Sequence, residues 1–212
     1  MLDVLFSDAD IAVCIKPAGV LSQDAGEGSM PDLLRKGLSV KEVFTVHRLD
    51  REVGGVMVYA RNSAAAAALN KSVQEHKLEK IYLAVLRGIP PMEESTLEDL
   101  LFHDRTRNKT YVVDRQRKGV KDARLDYQIQ KAVGNHALVR IRLHTGRTHQ
   151  IRVQFASRKL PLVGDGKYGG KTPGYPLCLW SYRLSFPHPV TGKRMMFEQT
   201  PPWEKDWEEW FT

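Results

Sequence analysis

Apolar residues along this chain recur in the short runs and strict alternations that are typical of β-strands. Four runs are rich in Val, Ile, Leu and aromatic residues and are bounded by Gly or Pro, which predicts strands. They cover residues 10–16, 55–60, 80–87 and 177–186.

Three further segments alternate apolar with polar residues, as strands with one covered face do. They are TYVVD at 110–114, ARLDYQIQKAV at 123–133 and HALVRIRLHT at 136–145. The segment between residues 89 and 108 is polar and contains two prolines, so we expect it to be a connection.

Few segments have helical spacing. Residues 62–78 combine a run of alanines with Asn62 as the expected N-cap. A short helix is expected at 31–36. Residues 147–158 predict another helix, with Ile151, Val153 and Phe155 facing inwards.

Predicted strands outnumber predicted helices, and most of them follow one another directly. This order favours an α+β fold with a largely antiparallel mixed sheet and flanking helices over a doubly wound α/β fold. No clean linker interrupts the 212 residues, so we expect a single domain over residues 1–212.

Composition indicates a class of partner. Lys and Arg number 32 against 25 Asp and Glu, so the net charge is +7, which favours a polyanion such as nucleic acid or an anionic membrane. The alternative is a basic protein without such a partner. No apolar run approaches the ~18 residues of a membrane span, and the first residues lack the features of a signal peptide. Cys14 and Cys178 lie in apolar strands, where buried free thiols in a reducing cytoplasm are expected.

Candidate chemistry concentrates in four stretches. HRLDREVGG at 47–55 places Asp50 between two arginines at the entrance to a buried strand. TGRTHQIR at 145–152 brings Arg147 and Arg152 close together after a strand, although solvated arginines are the commoner case. Tyr82 lies in an apolar strand, where a core tyrosine is the alternative, and GDGKYGG at 164–170 suits a loop near a ligand.

Several kinds of site are not indicated. The sequence contains no phosphate-binding GxxxxGK[ST], no GxGxxG, no HExxH, no paired CxxC and no GxSxG. Any chemistry is therefore expected to depend on one carboxylate, arginines and a tyrosine, without a metal or cofactor.

Taken together, HRLDREVGGVMV, KIYLAVLRG, TGRTHQIRV and GDGKYGG resemble the ordered motifs of the RluA-type pseudouridine synthases. IKPAGVLS at 15–22 and LSFPHPVTGK at 184–193 match the pattern as well, so the resemblance extends from Val4 to Pro202. Because the matching motifs start near the first residues, we expect a chain that begins at the catalytic domain, without the S4-type RNA-binding module that precedes it in some members. It is therefore similar to the short, single-domain members.

The resemblance implies a pseudouridine synthase fold with a central catalytic cleft, and isomerisation of specific uridines in ribosomal or transfer RNA without a cofactor. Asp50 matches the essential aspartate, Arg152 the arginine that pairs with it, and Tyr82 the tyrosine that lies against the target base. Arg48 matches the residue that enters the space left by the extruded uridine. Further substrate-binding residues are expected in the same motifs: His47, Arg147, Thr148, Gln150, Asp165 and Tyr168.

The resemblance also implies a monomeric cytoplasmic enzyme whose partner is RNA. Part of the Tyr82 ring is expected to remain accessible for stacking on a base. Basic residues between positions 105 and 121 are expected to bind phosphates, with a solvated face as the alternative. They are Arg105, Arg107, Lys109, Arg115, Arg117, Lys118 and Lys121.

The sequence departs from the family pattern at three places. Val53-Gly54-Gly55 replaces the usual Thr-Ser-Gly, and Gln154 and Trp180 each stand where His is usual. These departures keep a second interpretation open, a non-catalytic RNA-binding protein or RNA-folding helper on the same scaffold. A third, a hydrolase that releases the base, is disfavoured because no second carboxylate accompanies Asp50.

Overall fold

The computed structural model describes residues 2–202 together with Trp207 and Trp210. The strands are β1 (Asp3–Ser7), β2 (Ile11–Lys16), β3 (Phe44–Thr45), β4 (Gly54–Ala60), β5 (Glu79–Arg87), β6 (Glu94–Asp104), β7 (Lys109–Val113), β8 (Val120–Val133), β9 (His136–Leu143), β10 (Leu179–Pro187) and β11 (Arg194–Glu198). The helices are α1 (Met30–Leu38), α2 (Ser63–Gln74) and α3 (Gln150–Ala156).

The chain forms two compact units, and the first comprises residues 1–80 and 180–201. Its strands lie in the order β1-β2-β4-β10; β3 also pairs with β4, and β11 with β10. The β4–β10 pair is parallel, and the other pairs in this unit are antiparallel. All seven residues of β4 are buried, and Val56 and Val58 pack in a core that includes Leu69 of α2 and Phe186 of β10.

The second unit comprises residues 81–179 and 202–212, of which the part beyond 202 is described only at Trp207 and Trp210. Its strand order is β5-β9-β8-β6-β7. Pairs β6–β7, β6–β8 and β8–β9 are antiparallel. Ala123, Leu125 and Tyr127 of β8 are buried and alternate with exposed or half-buried residues, which is the pattern of a strand with one covered face.

The predicted α+β fold with a largely antiparallel mixed sheet is confirmed. Helix α2 begins after Asn62, whose side chain accepts a hydrogen bond from the backbone N of Ala65 at 2.8 Å. The three inward positions expected in α3 are buried: Ile151, Val153 and Phe155 are at most 5% exposed.

The predicted connection at 89–108 is wrong, because residues 94–104 form the eleven-residue strand β6. Within β6, only Leu97 and Leu101 are buried, and this spacing of four conceals the strand period of two. The strand persists because β7 and β8 pair with its two edges and satisfy its backbone groups. Strands β1 and β11 are also present where the sequence predicts none.

Both cysteines are buried and free, as expected, and burial raises the pKa of Cys14 to about 12. Across residues 2–202, 207 and 210, no helix is both long enough and apolar enough to cross a membrane.

Candidate active site

Asp50 lies in a turn between β3 and β4 that the first unit holds by hydrogen bonds. The hydroxyl of Ser22 donates to the carbonyl of Leu49 at 2.9 Å, and the backbone N of Val53 donates to the carbonyl of Asp50 at 3.1 Å. Gly19 and Arg51 are joined twice, by Gly19 N to Arg51 O at 2.8 Å and Arg51 Nε to Gly19 O at 2.9 Å. The half-buried Asp50 carboxylate is therefore attached to a fixed backbone.

Lys16, at the end of β2, holds the same turn by hydrogen bonds. It is fully buried, and its ammonium donates to the carbonyls of Pro17, Val20 and Arg51 at 2.8, 2.6 and 3.0 Å. Burial lowers the pKa of Lys16 to about 8, and the negative charge of Asp50 opposes that shift. At neutral pH the ammonium therefore keeps all three donors and ties the Asp50 turn to the loop after β2.

His47 and Arg48 differ in their surroundings although they are adjacent. His47 is 8% exposed, and its Nε2 accepts a hydrogen bond from the backbone N of Val58 at 3.2 Å. Burial lowers the pKa of His47 to about 3, so its imidazole is neutral at physiological pH. Arg48 is exposed to solvent.

Two of the departures from the family pattern meet in space. Gly54 and Trp180 face each other across the parallel β4–β10 pair. A Cβ at Gly54 would overlap the Trp180 ring, whose Nε1 donates to the carbonyl of Gln199 at 2.8 Å. The two departures therefore compensate each other in volume. The Trp180 ring on β10 is larger than the usual His, and Gly54 on β4 lacks the side chain of the usual Ser.

We expect Gly54→Ser to destabilise the fold by about 1–3 kcal/mol, because the added atoms overlap Trp180. In a Trp180→His background, the same substitution should cost at least ~1 kcal/mol less, since the smaller ring leaves room. Urea unfolding of the two single variants and the double variant measures this coupling. Gly37→Ser is the control, since a Cβ there makes only an ordinary 3.7 Å contact with Leu2. Equal costs of Gly54→Ser in both backgrounds would contradict this compensation.

The third departure, Gln154, braces α3. It is fully buried, and its Nε2 donates to the carbonyl of Leu97 at 3.2 Å and to a carboxylate oxygen of Asp99 at 2.8 Å. Asp99 also accepts a hydrogen bond from Arg158, two residues after α3, at 2.8 Å. Gln154 and Arg158 therefore both join the α3 region to β6. These contacts give Gln154 a structural role.

Arg152 and Asp165 form a buried bidentate ion pair in the second unit. Arg152 Nε donates to Asp165 Oδ2 at 2.7 Å, and Arg152 Nη2 donates to Asp165 Oδ1 at 2.8 Å. The two residues are 3% and 1% exposed. Such a planar, charge-assisted pair fixes both the position and the orientation of the guanidinium.

Tyr168 lies against the face of the same guanidinium. The Arg152 Cζ atom is 5.3 Å from the centre of the Tyr168 ring. The Tyr168 hydroxyl accepts from the backbone N of Thr110 at 2.8 Å and lies 2.9 Å from Nδ1 of His149. Burial raises the pKa of Tyr168, which keeps the hydroxyl protonated at neutral pH.

The other predicted site residues of the second unit are Gln150, Arg147 and Thr148, which form the following hydrogen bonds with residues other than Arg152. Gln150 is buried, and its Oε1 accepts from Thr145 Oγ1 at 2.8 Å and from the backbone N of Arg147 at 3.0 Å. The partly exposed Arg147 donates through Nε to the carbonyl of Asp122 at 2.8 Å, and the Thr148 carbonyl accepts from Thr110 Oγ1 at 2.8 Å.

Tyr82, on β5, is 5% exposed. The expectation that part of its ring remains accessible is therefore wrong, since Tyr82 lies in a run of six buried residues, 81–86.

One group of residues in the first unit has metal-ligating side chains. Asp8, Asp10 and His188 bring possible ligand atoms within 4.8 Å of one another. His188 Nε2 lies 2.8 Å from Asp8 Oδ2, while Asp8 Oδ1 accepts from the backbone N atoms of Asp10 and Ile11 at 2.8 Å. Through these hydrogen bonds the Asp8 carboxylate stabilises the turn between β1 and β2, which is sufficient to explain its position.

The structure thus brings Arg152, Asp165 and Tyr168 together in the second unit, while His47, Arg48 and Asp50 share one turn in the first. Sequence reasoning missed Lys16 as the brace of the Asp50 turn. A lysine within an apolar strand was the available signal, since a buried lysine needs dedicated acceptors. It also missed the pairing of Asp165 with Arg152, for which the sequence offers no local signal.

Comparisons with known proteins give a consistent result. Residues 10–157 match the family model described as RNA pseudouridylate synthase. A protein of Aquifex aeolicus named as an uncharacterized RNA pseudouridine synthase is 34% identical over 95% of this chain and 70% of its own length. A Neisseria meningitidis protein named ribosomal large subunit pseudouridine synthase D is 32% identical over 95% of this chain, which spans 58% of that relative's length.

A solved structure has the same fold. Human RNA pseudouridylate synthase domain containing 1 superposes with a TM-score of 0.82 at 23% identity, over 96% of this chain and 85% of the human one.

Proposed function

The chain belongs to the RNA pseudouridylate synthase family, of the RluA type, and we propose that it isomerises specific uridines in structured RNA to pseudouridine. The Neisseria relative is named for the large ribosomal subunit, which favours ribosomal RNA over transfer RNA as the substrate. The observation that carries the proposal is the Asp50 turn, in which a half-buried carboxylate with the family's flanking residues is braced by Lys16 and Ser22.

The reaction breaks the N1–C1′ bond of uridine and forms a C5–C1′ bond, while N1 gains a proton and C5 loses one. Product and substrate contain the same atoms in the same oxidation state, so the balanced reaction consumes no oxidant, reductant or second substrate, and we propose that it proceeds without a cofactor. Asp50 acts at the sugar, either as a nucleophile or as a base. The family resemblance assigns Arg152 as the partner of Asp50, and we propose that its guanidinium orients that carboxylate when RNA is bound.

The remaining proposed roles follow from exposure. Arg48 is exposed and fills the gap that the extruded uridine leaves in the stack, which offsets part of an extrusion cost of a few kcal/mol. Tyr82 matches the tyrosine that lies against the target base, and its 5% exposure means that a uracil reaches its ring only after neighbouring side chains move. Arg147 and Thr148 contact the substrate, and the contact of the Tyr168 ring with the Arg152 guanidinium favours a positioning role for Tyr168. The burial of His47, Gln150 and Asp165 favours positioning roles for them over direct contact with RNA.

Basic residues in the β6–β7 turn and the β7–β8 loop supply much of the RNA affinity. Arg105, Arg107, Arg115, Arg117, Lys118 and Lys121 are exposed, and Lys109 is half-buried. Arg117 lies 5.0 Å from the centre of the Phe102 ring, which holds its charge at the surface. Phosphate contacts of this kind make affinity fall steeply with salt.

We also propose a monomeric cytoplasmic enzyme. The two buried free thiols support a reducing compartment.

The test is release of tritium from RNA that carries [5-³H]uridine, with chromatographic identification of the product nucleoside. The full chain should release up to one equivalent of tritium per target site from ribosomal or transfer RNA of a strain that lacks the gene. Tight RNA binding without tritium release would instead support the RNA-folding helper. Free uracil in place of pseudouridine would identify a hydrolase.

A further inference from the structure

We infer that Asp165 and Tyr168 are positioning residues that hold the Arg152 guanidinium from two sides and join it to the RNA-binding hairpin β6–β7. The inference rests on the proposed function of the Arg152 site. Residues 164–170, which carry both side chains, are called here the Arg152 cradle.

Asp165 fixes the guanidinium in its own plane. Besides Nε and Nη2 of Arg152, its carboxylate accepts from the backbone N atoms of Lys167 at 3.1 Å and Tyr168 at 3.2 Å, both at Oδ1. The backbone of its own loop thus fixes the orientation of the Asp165 carboxylate, and the carboxylate in turn fixes the Arg152 guanidinium. The bidentate pair occupies two of the five N–H groups of Arg152 and sets the direction in which the other three point.

The backbone of the cradle has little freedom. The carbonyl of Asp165 accepts from the backbone N of Gly170 at 2.8 Å, and the N of Asp165 donates to the carbonyl of Leu162 at 3.1 Å. Gly164 has a φ of +76°, and a Cβ there would overlap the carbonyl of Pro176. Gly164 of the GDGKYGG motif therefore allows its backbone to pack closely against the backbone of Pro176. The sequence indicates only that the motif suits a loop near a ligand.

Tyr168 joins the cradle to the hairpin. Its ring covers the Arg152 guanidinium on one side. Its hydroxyl accepts a hydrogen bond from the backbone N of Thr110, on β7. Lys109 Nζ lies 5.3 Å from the centre of the same ring, and Lys167 Nζ donates to the carbonyl of Asn108 at 2.9 Å. Of the basic residues of this hairpin, Lys109 thus contacts the Tyr168 ring itself, and Arg107 is two positions from Lys109.

This arrangement assigns the Tyr168 hydroxyl an effect on turnover. Removal of the hydroxyl keeps the ring over Arg152 but detaches the cradle from Thr110. We expect Tyr168→Phe to lower kcat about tenfold and to leave KM within about twofold, since small misplacements of catalytic groups cost rate. Tyr127→Phe is the matched control, because it removes a hydroxyl that donates to the carbonyl of Met92 at 3.2 Å in the same unit. It should keep wild-type kcat and KM.

A second measurement does not depend on activity. The ¹⁵N-labelled Nε–H of Arg152, assigned with Arg152→Lys, should exchange slowly with water in the wild-type chain because of its buried bond to Asp165. Exchange should accelerate at least about tenfold in Tyr168→Phe and further in Asp165→Asn, and it should be unchanged in Tyr127→Phe. If the wild-type chain shows no isomerisation but the exchange pattern holds, the proposed function fails and the cradle stands.

The inference is overturned if Tyr168→Phe matches Tyr127→Phe in both kcat and Nε–H exchange. It is also overturned if Tyr168→Phe raises KM with kcat unchanged, because Tyr168 would then only bind substrate. Asp165→Asn should lower kcat about a hundredfold. Wild-type turnover in a folded Asp165→Asn enzyme would exclude a positioning role for the carboxylate.

Discussion

Asp50→Asn should abolish isomerisation, with kcat reduced at least about a thousandfold, which corresponds to ~4 kcal/mol of transition-state stabilisation. Asparagine keeps the shape of the side chain but can act neither as an anionic nucleophile nor as a base. The backbone bonds that hold the turn come from Lys16, Ser22 and Val53 and do not depend on the carboxylate. RNA affinity should stay within about tenfold, ~1.4 kcal/mol, because phosphate contacts supply most of it.

Tritium release and a filter-binding titration measure the two quantities on one preparation. Glu52→Gln is the control, since it removes the same charge from an exposed residue two positions along the chain. It should isomerise at close to the wild-type rate. A purified Asp50→Asn enzyme with substantial activity would refute the mechanism, whatever its affinity for RNA.

Arg152→Met is expected to have the largest effect on stability, a loss of about 3–5 kcal/mol. It leaves the Asp165 carboxylate, 1% exposed, without the guanidinium that compensates its charge. Pairing Arg152→Met with Asp165→Asn removes the uncompensated charge, so the double variant should recover at least ~1 kcal/mol of that loss. Neither the single nor the double variant should isomerise uridine at a measurable rate.

Urea denaturation at fixed salt gives the free energies of unfolding, and tritium release gives the activities. Stability should recover in the double variant without activity, which separates the structural role of the pair from the chemical role of Arg152. A single variant as stable as the wild type would show that the ion pair is not the strong constraint that its geometry implies. An active double variant would remove Arg152 from the proposed site.

Local sequence was sufficient wherever neighbouring residues decide the outcome. Asn62 followed by alanines determined the start of α2, and the unbroken apolar run after Gly54 determined the buried strand β4. The family motifs placed Asp50 and Arg152 among the candidate residues because such motifs are contiguous. In each case the physical cause, a cap, a period or a short run, acts over a few residues.

Strand β6 and the partners of buried charges were decided only by the tertiary structure. Residues 94–104 are polar enough to suggest a connection, and they form a strand because β7 and β8 satisfy their backbone groups. Gly54 and Trp180 look like two unrelated departures in the sequence but meet across a parallel strand pair. Asp165 was a predicted substrate-binding residue, and only the structure shows that it is buried against Arg152, thirteen positions earlier. Volume and charge are compensated between residues that are adjacent in space, and the sequence alone does not state which residues those are.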